Sequence, residues 1–394
     1  MLAIRGTLAS TEDARRLARR RLPRLVFDFV DGAAGREVGA QRNMARFDDI
    51  CLQPRVMKNV AVRSLATEFL GQRFSVPFGI APMGMCNLVC PGADRMLADA
   101  ARRLGMPICV SSAASSSLED MRDWAGARTW FQLYFGPSEN MSLATVRRAR
   151  DAGYDTLVLT VDVPQVSRRV RDQRNGFDVP FRLTTTSLLD FAIHPRWSLS
   201  TLMAGIPSPK NVGEGDKFDR GAHRAGADWN FLTKLRGVWD GKLIIKGITC
   251  TSDALRVRDA GADAVYVSNH GGRQLDSVPA AVDLLPQIRH ALGPDMPLLF
   301  DSGVRNGEDV VKALALGADF VMIGRPVLFA LGANGERGLA KLLELFLKDT
   351  DIAIAQLGVI AVEELIKDVL FEEGGKSRDE IPSLPQPLKI AAKT

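Results

Sequence analysis

The chain has 394 residues, 46% of them hydrophobic, and a net charge of +5. That length exceeds an average single domain but suits one α/β barrel carrying insertions, and the apolar fraction is enough for a large core. The five cysteines are scattered, which argues against a disulfide framework and for a reducing compartment, the cytoplasm; the four histidines are not paired at ligand spacing, so no structural zinc or other metal is expected.

Much of the positive charge lies near the start, in Arg15-Arg16, Arg19-Arg20-Arg21 and Arg24. Such a cluster suits nucleic acid or anionic lipid. Nothing else resembles a nucleic-acid motif, and the plainer reading is the solvated face of a helix. The chain turns charged soon after Met1-Leu2-Ala3-Ile4, so no signal-peptide core is expected. No run of about 18 apolar residues suggests a transmembrane helix.

Residues 1–70 read as an N-terminal helical extension. Thr11-Glu12-Asp13 starts a helix that continues through the arginines, and Pro23 opens a second that stops at Gly32. A different rhythm follows, with short apolar runs separated by helical stretches. They are Val76–Ile80, Pro107–Val110, Trp130–Leu133, Leu157–Thr160, Leu243–Ile245, Ala264–Val267, Pro297–Phe300 and Phe320–Ile323. Continuous apolar strands alternating with helices imply a parallel sheet covered by helices. Eight such units predict a (β/α)₈ TIM barrel in a single domain. A doubly wound open sheet is the alternative, but it needs a Gly-rich fingerprint after its first strand, and Ala81-Pro82-Met83-Gly84 is not one. Residues 372–394 read as a C-terminal tail.

One interval is out of step. Between Asp162 and Leu243 lies far more than one helix, and residues 178–228 read as an insertion after the fourth strand, with little regular pattern. Its apolar part, Leu188-Leu189 through Trp197-Ser198-Leu199, is interrupted by Asp190, His194, Pro195 and Arg196. It is too short to span a bilayer but suits a membrane interface, with the tryptophan at headgroup depth and Arg196 reaching anionic lipid; a soluble lid or a subunit contact is the other reading.

Polar groups gather where the strands finish, the face on which barrel enzymes keep their sites. Ser268-Asn269-His270-Gly271-Gly272-Arg273 follows the sixth strand. Histidine exchanges a proton near neutral pH, arginine holds a carboxylate through two parallel hydrogen bonds, and glycines let backbone approach a ligand. A base beside a carboxylate clamp points to an enzyme acting on a small organic acid. Arg168 or Arg169 is a candidate to join Arg273, and Asp162 to orient a protonated His270. Gln132 and Tyr134 leave the third strand; either they donate to ligands or they are satisfied rim residues. Lys246 ends the fifth strand and suits an anion that forms during reaction, because a buried unpaired ammonium is costly. Asp301-Ser302-Gly303-Val304-Arg305 and Gly324-Arg325 end the seventh and eighth strands, where loops often bind phosphate.

Taken together, Ser268 through Asp276, Leu22-Pro23 through Gly32, Phe131–Tyr134, Leu159–Asp162, Lys246-Gly247, Asp301–Gly307 and Lys312–Ala318 resemble the FMN-dependent α-hydroxy acid dehydrogenase/oxidase family. The likeness runs from about residue 10 to about residue 370. It implies FMN in the barrel mouth, with Pro82, Met83 and Gly84 along the flavin ring. Ser111, Gln132, Thr160, Lys246 and Ser268 would meet its edges, and Asp301, Gly303, Arg305, Gly324 and Arg325 its ribityl chain and phosphate. His270 would be the base, Asp162 its partner, Arg169 rather than Arg168 the second carboxylate arginine, and Tyr134 a donor to the substrate oxygen. The implied reaction oxidises an (S)-2-hydroxy acid, lactate- or mandelate-like, to the 2-oxo acid, with quinone or oxygen as acceptor and a homotetramer as the assembly.

Three positions depart from the family pattern. Phe29 stands where a tyrosine usually meets the substrate carboxylate. Gly84 replaces the alanine of many members, as in those that avoid oxygen. Ala113 stands where glycolate oxidases have a tryptophan, which leaves room for an aryl side chain. Another FMN oxidoreductase or isomerase on the same barrel, or a flavin-binding protein without turnover, are the alternatives; the first would not need two carboxylate arginines beside a histidine, and Phe29 makes the second more tenable.

Overall fold

The computed structural model describes residues 7–177, 184–211 and 224–371. Two short strands, β1 (Thr67–Phe69) and β2 (Gln72–Phe74), pair as an antiparallel hairpin. Eight parallel strands then close into a barrel: β3 (Phe78–Met83), β4 (Ile108–Ser111), β5 (Thr129–Leu133), β6 (Thr156–Thr160), β7 (Lys242–Ile248), β8 (Ala264–Val267), β9 (Leu298–Phe300) and β10 (Phe320–Ile323). Each neighbours the next in sequence, and β10 returns to β3. Every apolar run expected to be a strand is one, with ends moved by a few residues.

Parity along the strands explains the interior. Side chains alternate between the two faces of a strand. Residues facing the barrel axis, Ala81, Cys109, Trp130, Val158, Ile244, Tyr266, Leu299 and Met322, form one apolar cluster. Their neighbours, such as Phe131, Leu157, Ile245, Val265 and Val321, face the helices in a second, larger cluster. Two residues beyond the axial layer the same parity brings Ser111, Gln132, Thr160, Lys246, Ser268, Asp301 and Gly324 to the C-terminal mouth. One period of two therefore gives a packed floor and a polar layer above it.

The extension is helical only in part. Helices span Thr11–Arg21, Arg24–Asp31 and Val38–Asp48, the first capped by Ser10, whose side chain accepts from the Asp13 N–H. The hairpin that follows was not foreseen. Its strands are three residues long, too short to show alternation, and it turns through Leu70 and Gly71 at φ of 52° and 77°. It closes the barrel's N-terminal end: Phe69 and Phe74 pack against Trp130 and Phe320, with ring centroids 5.3–6.1 Å apart. Each fully buried phenyl contributes about 1.5–3 kcal/mol.

The insertion also differs from expectation. Where described, it contains two helices, Thr185–Ile193, opened by a Thr184/Ser187 capping box, and Pro195–Ala204. Trp197 is buried and donates from Nε1 to the Leu88 carbonyl at 2.8 Å, so it is an anchor to the barrel and not a headgroup-level residue. Asn211, also buried, accepts from the Leu118 N–H and donates to the Ser116 carbonyl, tying the insertion to the loop after β4. The 178–183 and 212–223 parts of the insertion and the 372–394 tail lie outside the described residues. Among the described residues, no helix is long and apolar enough to cross a membrane.

Candidate active site

The polar layer at the mouth is a connected network. Asp301 accepts from Tyr266 Oη at 2.9 Å, Ser268 Oγ at 2.5 Å and Ser302 Oγ at 2.9 Å, and pairs with Lys246 Nζ at 3.0 Å. Lys246 also donates to Ser268 Oγ at 2.7 Å. Burial by itself would lower the Lys246 pKa, but Asp301 and then Asp162 outweigh it and hold the ammonium above the ordinary lysine value. Burial likewise opposes ionisation of Asp301, and Lys246 overcomes it, so that carboxylate lies below its usual range. The pair is thus charged beneath the pocket floor.

His270 sits one step higher. Its backbone is left-handed, with φ of 56°, and its N–H donates to Ser268 Oγ at 3.0 Å. A non-glycine residue there is strained and is held by its surroundings. Nδ1 lies 3.0 and 3.1 Å from the two Asp162 oxygens. A carboxylate at that distance draws the ring proton to Nδ1, which leaves the Nε2 lone pair turned to the pocket. Tyr134 Oη lies 3.3 Å from Nε2. Burial, then the Asp162 charge, raise the Tyr134 hydroxyl above its ordinary value, so it stays a neutral donor. Gly247 makes the Asp162 position available: at φ of 105°, a Cβ there would lie 2.6 Å from Asp162 Cβ.

The carboxylate-binding candidates meet at the same mouth. Arg273 donates to the Gly32 carbonyl at 2.7 Å and the Val30 carbonyl at 3.2 Å, and its guanidinium lies 5.6 Å from the Phe29 ring centre. Arg169 lines the pocket, 4.0 Å from Asp172, whereas Arg168 is exposed and bonds Gln173. The structure therefore brings to the pocket Arg169, the one the resemblance implies, and not Arg168. Phe29 lines the pocket as a hydrocarbon wall, stacked on Phe177 at 4.5 Å. Ala113 and Gly84 line it too, and a Cβ on Gly84 would come within 2.9 Å of Ala113 Cβ.

Gly303, Arg305, Gly324 and Arg325 line the same pocket with Pro82 and Met83. Arg305 donates to the Val304 carbonyl at 2.8 Å and Arg325 to the Val30 and Gly32 carbonyls at 3.3 Å each. Neither has a carboxylate at salt-bridge distance among the described residues. Burial lowers both, and burial together with the Arg305 charge drives Arg325 down to about 9. Two neighbouring cations held this way call for an anion between them.

Those observations test whether the residues fit FMN. Gln132 Nε2 and Thr160 Oγ1 are buried and have no hydrogen-bond partner, while Ser111 Oγ is spent on Gln132 Oε1 at 2.8 Å. An orphaned donor costs about 1–3 kcal/mol, so such groups imply a ligand atom in reach. A polar-edged ring over the floor and a phosphate between Arg305 and Arg325 would satisfy both sets of groups. The donor set fits the cofactor. Among the described residues no group of three or more His, Cys, Asp and Glu side chains gathers to hold a metal.

Sequence reasoning missed several lining residues. Val163, Val166, Phe177 and Gln274 reach the pocket. So does Arg224, whose guanidinium lies 5.0 Å from the Tyr134 ring centre and whose N–H donates to the Pro164 carbonyl at 2.8 Å. Arg224 returns from the insertion, where no strand parity points to the mouth. Phe177 had a weak signal, as an aromatic at the insertion's edge.

Comparison with known proteins agrees with this geometry. The family model described as FMN-dependent dehydrogenase matches residues 18–372. The (S)-mandelate dehydrogenase of Pseudomonas putida is 38% identical over 93% of this chain and 95% of its own length. A putative L-lactate dehydrogenase of Mycobacterium tuberculosis is also 38% identical, over 91% and 88%. Among solved structures, one described as the monotopic membrane protein (S)-mandelate dehydrogenase superposes with a TM-score of 0.89 at 38% identity, covering 93% of this chain and 100% of that one. A mandelate oxidase structure follows at 0.78 and 35%. A barrel with this polar mouth, matched by the family model over most of its length, belongs to the FMN-dependent dehydrogenase family.

Proposed function

We propose that the protein oxidises an (S)-2-hydroxy acid to the 2-oxo acid, with His270 as the base and Arg169 and Arg273 as the carboxylate clamp. The observation that carries this is the single file from Asp162 through His270 to Tyr134, in a pocket that Arg169 and Arg273 also line. FMN, when bound, takes up the two electrons released at the substrate's hydroxyl-bearing carbon. The chain's own residues do the rest. The arginines fix the carboxylate through charge-assisted hydrogen bonds and so set which face of the carbon is presented. Tyr134 Oη donates to the substrate oxygen. His270 Nε2 takes a proton from the substrate, and Asp162 stabilises the imidazolium that results. Lys246, held protonated by Asp301, places an ammonium under the floor, where negative charge develops.

Ala113, Phe29 and Phe177 make the side-chain end of the pocket apolar and roomy, which supports a bulky or aromatic hydroxy acid over glycolate. The mandelate names of the relatives point the same way. The test is anaerobic mixing of the yellow holoprotein with a panel of 2-hydroxy acids. Bleaching of the flavin is expected, faster with mandelate or lactate than with glycolate. No bleaching with any member would remove the reading, and equal efficiency on glycolate and mandelate would remove the pocket argument.

Peripheral membrane contact is part of the same reading. The insertion helices expose Leu188, Leu189, Ile193, Leu199, Leu202 and Met203, between 52% and 87% accessible. Exposed large apolar side chains concentrated on two adjoining helices support an interaction surface there. A site that meets the cytoplasmic membrane face would pass electrons to a quinone in preference to oxygen, in keeping with Gly84. Assembly as a homotetramer completes the proposal, and light scattering of the purified protein tests it.

A further inference from the structure

The N-terminal arginines, first read as a solvated helix face, have a more specific setting. Arg15, Arg19, Arg24, Arg171 and Arg174 line one cleft between the helices Thr11–Arg21, Arg24–Asp31 and Val170–Arg174. His194, the joint between the two insertion helices, lines it as well. Its floor is already balanced: Asp31 bonds Arg15 at 2.6 Å and Arg171 at 2.6 Å, and Arg171 also pairs with Asp28 and Glu37. Its rim is not. Among the described residues, the lining Arg19 and Arg174, and Arg196 two residues from the lining His194, have no carboxylate at salt-bridge distance, and all three are exposed. Arg196 starts the second insertion helix and stands near enough to Arg21 to add, after burial, to lowering it. The cleft is also fastened to the apolar helices, since the Arg24 N–H donates to Asp190 at 2.6 Å.

We propose that this arginine cleft seats the phosphate of an anionic phospholipid while the apolar face beside it enters the acyl layer. The inference rests on the membrane reading above and adds a lipid class and a place for it. Charge complementarity selects the occupant: a rim of uncompensated guanidiniums takes a phosphate bidentately, and its continuity with exposed leucines places that phosphate at headgroup depth. A free metabolite would not need the adjoining apolar face.

The experiment is sedimentation of the holoprotein with vesicles of phosphatidylcholine alone or mixed with phosphatidylglycerol, for the native chain and for the double variant Arg19→Gln/Arg174→Gln. Each arginine near an anionic surface strengthens binding roughly fivefold, so the double variant should lose roughly thirtyfold on mixed vesicles. Its binding to phosphatidylcholine, and its flavin bleaching by substrate in solution, should not change. A second double variant, Arg102→Gln/Arg103→Gln on the helix Ala93–Leu104, removes the same charge elsewhere and should lose much less. Equal losses from the two variants, or none from the first, would overturn the cleft. Glycerol phosphate should not displace the native protein from mixed vesicles; displacement would assign the cleft to a soluble phosphate and overturn the lipid. Equal binding of the native chain to both vesicle types would also overturn the cleft but leave the membrane reading standing. Binding to neither would remove both.

Discussion

Replacing Asp162 by asparagine is the sharpest test of the proton path. The change is nearly isosteric, and the space beside Asp162 Cβ that Gly247 provides is unaffected. Both Asp162 oxygens lie 3.0–3.1 Å from His270 Nδ1, and the carboxylate is only 12% exposed. A charge pair with centres about 4 Å apart in an effective dielectric of about 20 is worth about 4 kcal/mol. Partial exposure trims this to about 3–4 kcal/mol, which is roughly 10²–10³ in rate. The asparagine amide would also offer an N–H to Nδ1, moving the ring proton to Nε2 and blocking the base. The assay is the first-order rate of flavin bleaching on anaerobic mixing with saturating substrate, together with the substrate Kd from its concentration dependence. The rate should fall by that factor with Kd little changed, because the arginine clamp is untouched. A rate within threefold of the native enzyme would refute the imidazolium argument and with it the role of His270.

Other substitutions probe the surroundings. Arg273→Lys and Arg169→Lys should each weaken kcat/KM for substrate at least tenfold while leaving FMN affinity nearly unchanged, since lysine cannot reproduce the planar fork; full efficiency in both would exclude the clamp. Gly247→Ala must displace Asp162, because its Cβ would lie 2.6 Å from Asp162 Cβ, and should lower both thermal stability and bleaching rate. Leu189→Ser with Met203→Ser, at positions 70% and 87% exposed, should abolish vesicle binding with Tm unchanged, whereas Trp197→Ala, which empties a buried site, should cost about 3–5 kcal/mol of stability. Burial drives the Asp309 carboxyl up to about 6. The folded state therefore binds that proton more tightly than the unfolded chain, a stabilisation present below about pH 4 and lost as pH rises through 6. Denaturation of Asp309→Asn and the native protein should show the variant gaining relative stability across that window; a constant difference from pH 4 to pH 7 would contradict it.

Sequence by itself determined the barrel and most of its mouth. Apolar runs of three to five residues recur eight times, mostly at helix-length intervals; such runs call for a parallel sheet covered on both faces, and eight of them with no Gly-rich fingerprint after the first favour a closed barrel. Because side chains alternate, residues such as Gln132, Thr160, Lys246 and Ser268 had to follow their axial neighbours into the mouth. Tertiary structure decided what local pattern cannot encode. The hairpin at Thr67–Phe74 exists because the barrel's open end needs Phe69 and Phe74, not because three-residue strands are stable alone. Arg169 faces the pocket and Arg168 does not, a difference of one residue on a turn whose direction is set by packing. Arg224 reaches Tyr134 across about ninety residues of chain, and Trp197 is an anchor because the Leu88 carbonyl lies opposite it. The two insertion helices present apolar side chains to solvent, so no buried stripe marked them in the sequence. Contacts between residues far apart in the chain depend on closure of the whole fold, and no local period records them.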